Sequence, residues 1–121
     1  MITLTNRQFA DALNAGAYLR FSQCQKTISA GHKNRQVPAA VHAEFRLFQA
    51  TQDEMMKRFG GVVVNGVVEY PPEVAAEANA AHAEWMRQTI DLPGEKVRIS
   101  DIVSGGLLES DYALLESFLG D

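Results

Sequence analysis

Residues 62–70 of this 121-residue chain read Val-Val-Val-Asn-Gly-Val-Val-Glu-Tyr, and no other segment limits the fold as strongly. Asn65-Gly66 supplies the two positive-φ positions of a type I′ turn, whose twist matches that of the flanking strands. The valines on either side favour extended backbone, because β-branched side chains pack well on a pleated surface. The segment therefore predicts a tight antiparallel hairpin. Strands this short are marginal alone and must lie against helix or a third strand. Lys96-Val97-Arg98-Ile99 alternates polar and apolar, which makes residues 96–99 the expected third strand.

Helical periodicity surrounds the hairpin. Thr5 or Asn6 can cap a first helix. Phe9, Leu13, Ala17, Phe21, Cys24 and Ile28 then recur at three- and four-residue steps, a single apolar stripe interrupted at Ala15-Gly16. This helix should end near Ser29–Gly31, leaving Gly31–Gln36 as a polar, basic loop. The second helix carries the strongest pattern: Pro38, Val41, Phe45, Phe48, Gln52, Met55 and Phe59 alternate steps of three and four. Proline suits its first turn, and Gly60-Gly61 closes it. Two antiparallel helices joined by the basic loop follow. A third helix starts after Tyr70-Pro71-Pro72-Glu73, with Val74, Ala78, Ala81, Trp85, Gln88 and Leu92 as its stripe, and a last short helix follows Ser110. The expected architecture is one α+β domain over residues 1–121. It comprises an antiparallel helical hairpin, a small antiparallel sheet (hairpin 62–70 plus strand 96–99) and two further helices.

The chemistry-bearing residues form no catalytic pattern. Cys24 is the only cysteine, so no internal disulfide or cysteine-rich zinc site can form. It reads as a small buried hydrophobe. His42 and Glu44, like His82 and Glu84, are two apart on a helix and point away from each other. No H-E-x-x-H motif, phosphate loop or nucleophile triad is present. The expectation is a non-enzymatic chain with no cofactor and no metal.

Charge is distributed unevenly. Residues 1–60 carry eight Lys/Arg against four Asp/Glu, and residues 61–121 carry three against eleven. The net charge of −4 thus divides into a basic first half and an acidic second half. Such polarity drives head-to-tail association or steers a charged partner. Lys26, His32, Lys33 and Arg35 cluster at the first turn-around. Without a recognised nucleic-acid motif and with an acidic total, nucleic acid is an unlikely partner. No apolar run is long enough to cross a membrane, and the N-terminus has no signal-peptide pattern. The expected location is the cytoplasm.

The order of elements resembles a group of small proteins encoded in tailed-phage genomes, mostly without assigned function. The residues that carry the resemblance are Leu4-Thr5-Asn6, Met56-Lys57-Arg58-Phe59-Gly60, Asn65-Gly66, Glu84-Trp85, Val97-Arg98-Ile99-Ser100-Asp101-Ile102 and the final helix after Ser110. The chain departs from such proteins in being richer in alanine and poorer in lysine and glutamate. The resemblance implies a phage origin, in the host cytoplasm or the virion, and carries no catalytic residues.

The resulting expectation is a protein-interaction module, acting in virion assembly or as a homo-oligomer. Its candidate partner-binding residues are His32, Lys33 and Arg35 in the basic turn and Val62, Val64 and Val67 on the hairpin edge, where exposed strand invites pairing. The alternative is an inhibitor of a host protein that works through the acidic C-terminal half or by sequestering a ligand.

Overall fold

The computed structural model describes residues 1–120 and shows an α+β fold. Strand β1 (Ile2–Thr5) leads into helix α1 (Asn6–Asn14), capped by Thr5. The Thr5 hydroxyl accepts from the Gln8 N–H, while the Gln8 side chain accepts from the Thr5 N–H. Two orphan donors of the first turn are thus satisfied together. Gly16, at φ 74°, breaks the rod where the sequence indicated, and α2 (Ala17–Gln23) follows.

The stripe does not continue as helix beyond Gln23. A short strand β2 (Gln25–Lys26) intervenes, and Thr27 then caps a separate helix α3 (Ile28–Lys33). The predicted first helix is therefore three pieces, and the first half of the predicted basic loop, Gly31–Lys33, is helical. Ile28, assigned to the apolar stripe, is 94% exposed. The long helix α4 (Val37–Phe59) has the expected bounds, with Pro38 in its first turn and left-handed Gly60 at its end.

The hairpin forms as β3 (Val62–Val64) and β4 (Val67–Glu69) around Asn65-Gly66, both with positive φ. It does not acquire the predicted third strand. Helix α5 (Ala75–Arg87) ends before β5 (Thr89–Leu92), which pairs antiparallel with β1 along its whole length. Strand β6 (Val97–Arg98) instead pairs in parallel with the C-terminal β8 (Leu119–Gly120), while β7 (Ile102–Ser104) pairs with β2. The last helix, α6, spans Glu109–Leu114 with Leu108 at its cap position, so Ser110, expected to precede the helix, lies within its first turn. Burial explains the pairing of β6: Val97 is 2% exposed and sits in the core, whereas the hairpin lies away from it.

That core gathers Ile2 and Leu4 of β1, Phe9 of α1, Phe21 of α2, Val37 and Val41 of α4, and Leu115 and Phe118 near the C-terminus. Of α4 only Val37 and Val41, in its first turns, are buried. Its seam residues further on, Phe45, Phe48, Met55 and Phe59, are half-buried. Phe45 and Phe48 pack against the edge of that core, Trp85 of α5 lies 4.5 Å from Phe48 between ring centres, and Tyr70 meets Phe59 edge-on at 6.2 Å. The helical hairpin of this fold is thus α4 with α5, and it carries β3–β4 beyond the core as an arm.

Candidate interaction surfaces

Cross-strand register decides which hairpin side chains share a face. Val62 opposes Glu69, Val63 opposes Val68, and Val64 opposes Val67. Directly opposed residues lie on the same side of a sheet, and side chains alternate along each strand. Val62, Val64, Val67 and Glu69 therefore form one face, and Val63 with Val68 the other. Val68 is half-buried and lines a cleft against Met55 and Trp85, which turns its side chain inward, while Val63 on the same face is 60% exposed. The outer face leaves Val62, Val64 and Val67 at 58%, 42% and 64% exposed. These three were expected on an open edge. They form an apolar face, and among the described residues no strand pairs with either outer edge of the hairpin.

His32, Lys33 and Arg35 are exposed together at the other end of α4. They line an open groove of about 410 Å³ that Glu95 also lines. Lys33 reaches Glu95 at 3.9 Å, and Arg35 donates to the His32 ring at 2.8 Å. The amide of Asn34 donates to the Glu95 carbonyl at 3.0 Å, which holds residues 94–98 against the start of α4. Lys96 and Arg98 join the basic surface beside Lys33, with Asp101 nearby. Their role was hidden in the sequence, where 96–99 read as an inner strand.

Lys26 does not belong to this surface. Its ammonium donates to the carbonyls of Phe21 and Cys24 and sits 4.4 Å from the Phe21 ring centre. Burial lowers its pKa below the ordinary lysine range, with the Cys24 side chain opposing that shift. Cys24 is buried, as expected, and its thiol donates to the Arg20 carbonyl.

One cleft gathers polar groups from separate elements. Gln52 of α4, Tyr70, and Asn79, His82 and Trp85 of α5 surround about 170 Å³. Gln52, the lone polar residue of the seam, was the only sequence signal of it. His82 packs edge-on against Trp85 at 5.9 Å. Among the described residues no three His, Cys, Asp or Glu side chains converge in a way that could hold a metal ion. Likewise, no described helix is long and apolar enough to cross a membrane.

No protein-family model, curated protein or solved structure matches the chain.

Proposed function

We propose that this protein is a non-enzymatic interaction module that self-associates through the outer face of its hairpin. The observation that carries this reading is the valine face at the end of the α4–α5 arm. Three large apolar side chains stand in water on a short two-stranded ribbon whose outer edges no strand pairs with among the described residues. Apolar surface gathered this way marks a binding site, and an open strand edge offers backbone hydrogen bonds besides. The setting inferred from the resemblance is a tailed phage, with virion assembly as the role. Tail or capsid genes beside this one would agree with it, and defence-related neighbours would argue against it.

The inhibitor reading has less support. The cleft at Trp85 is smaller than the roughly 300–1,000 Å³ usual for small-molecule pockets, and the groove of about 410 Å³ at His32–Arg35 reaches that size but is open to solvent. Three of the eleven acids of the second half have partners within the chain: Asp111 with Arg20, Glu84 with Arg87 and Glu95 with Lys33.

Sedimentation velocity over a concentration series tests the proposal. Wild type should associate, and Val62→Thr/Val64→Thr/Val67→Thr should weaken association about tenfold or more, because the change removes apolar surface while keeping β-branched shape. A chain that stays monomeric at every concentration, or a triple variant that associates like wild type, would overturn it.

A further inference from the structure

The two candidate surfaces lie at opposite ends of one rod. His32, Lys33 and Arg35 directly precede α4, and the hairpin directly follows it. A 23-residue helix separates them, which at 1.5 Å per residue is about 34 Å. One copy cannot bring the two together.

The surfaces also complement each other. At the hairpin end, residues 60–83 carry Glu69, Glu73 and Glu77 and no lysine or arginine, while Glu84 beyond them is paired with Arg87. Glu69 shares the valine face, and Glu73 and Glu77 stand exposed at the start of α5. Lys57 and Arg58, in the last turn of α4, are the nearby cations in sequence. At the opposite end Lys33, Arg35, Lys96 and Arg98 are all exposed, against Glu95 and Asp101. That end has its own uncovered apolar residues: Ile28 is 94% exposed and Ile99 is 52% exposed. Thr27 donates its N–H to the Asp101 carbonyl at 2.9 Å, which places the start of α3 beside the turn containing Ile99. Each end is thus an apolar patch with charged neighbours, predominantly acidic at one and basic at the other.

We infer that the hairpin of one copy docks on the basic end of the next copy, Val62, Val64 and Val67 against Ile28 and Ile99, with Glu69 and Glu73 facing Lys33 and Arg98. The inference rests on the self-association proposed above and names the surface that receives the hairpin. A contact between two different patches is heterologous. It closes into a ring or grows as a filament, and it does not stop at a two-fold dimer. Its charge contribution is screened by salt, because the Debye length shrinks from about 10 Å at 0.1 M to about 3 Å at 1 M.

Charge reversal in pairs tests this arrangement. Lys33→Glu/Arg98→Glu makes the receiving end acidic, and Glu69→Lys/Glu73→Lys makes the hairpin end basic. All four positions are exposed, and circular dichroism checks that each variant is folded. Each variant alone should associate about tenfold or more weakly than wild type in low salt. An equimolar mixture should regain association, since each variant then meets an end of opposite sign. Restored assembly on mixing is something misfolding cannot produce. If the Lys33→Glu/Arg98→Glu variant associates like wild type while the triple threonine variant does not, the hairpins meet each other in a two-fold contact. In that case this inference fails and the self-association reading stands. If both charge variants are weakened but mixing restores nothing, the head-to-tail pairing is wrong. If wild type is monomeric, both readings fall.

Discussion

Arg20 and Asp111 lock together across a separation of 91 residues: Nε donates to Oδ2 at 2.6 Å and Nη2 to Oδ1 at 2.7 Å. The Asp111 side chain is fully buried, and it also accepts the Leu108 N–H at 2.8 Å at the start of α6. This bidentate pair ties α2 to the C-terminal helix, whose following residues bring Phe118 against Tyr18 at 5.3 Å. Chiefly through the Arg20 hydrogen bond, and further through the Leu108 N–H, the Asp111 pKa is held down at about 2 against an ordinary 3.8.

A depressed carboxylate pKa ties stability to acid. The unfolded chain takes up the Asp111 proton before the folded chain does, so this contribution is complete above about pH 5 and fades as pH falls through about 2. Wild type should lose thermal stability over that window. Asp111→Asn should be less stable at neutral pH, because Arg20 loses its charged partner, and should show a shallower acid slope. Replacing both residues, as in Arg20→Met/Asp111→Leu, should be milder than Asp111→Asn alone, since no charge is then left without its partner. Melting temperatures across the acid range, followed by circular dichroism, check all three outcomes.

Tyr18 gives the alkaline counterpart. It is buried between Phe21 and Phe118, and burial raises its pKa from 10.0 to about 12. Here the folded state keeps a proton that the unfolded state releases. Its contribution is intact below about pH 10 and is lost as pH rises through 12. Tyr18→Phe should lack this alkaline decline. Subtracting the tyrosinate absorbance of Tyr18→Phe from that of wild type should leave a transition near pH 12. A transition near 10 would mean that the phenol is hydrated.

These long-range pairings were the part of the fold the sequence concealed. Helix α4 was legible because its apolar residues repeat over 23 positions with proline at one end and glycine at the other. Asn65-Gly66 and the break at Gly16 were legible because positive φ leaves few residue choices. The β1–β5 ladder was missed for a geometric reason. Residues four apart share a face in a strand as well as in a helix, so Leu92, four beyond Gln88, fitted the helical stripe while belonging to a strand. Cys24 and Ile28 fit the same steps for a different reason: Cys24 is the extended residue that ends α2, and Ile28 begins the separate helix α3. The valine face was half legible. The residue types announced a hairpin, but its exposure depended on β6 choosing β8 over it, and spacing carries no trace of that choice.

The junction that aims the hairpin depends on one missing side chain. A Cβ on Gly61 would lie 2.7 Å from Tyr70 Cε1 and 3.1 Å from Val68 Cγ1. Real contacts are not that short, so Gly61→Ala must push the Tyr70 ring off Phe59 or tilt the hairpin on α4. Overpacking of this kind typically costs about 1–3 kcal/mol. Because the arm lies outside the main core, the loss should appear as faster amide exchange in 60–70 before it appears as global unfolding. Tyr70→Ala in the Gly61→Ala background should relieve the clash, making the double variant more stable than the sum of the single effects predicts. Association by sedimentation should follow the same order, weakened in Gly61→Ala and partly recovered in the double variant, if hairpin aim governs assembly. Strict additivity would show that Gly61 and Tyr70 do not meet, and that the hairpin is oriented by some other contact.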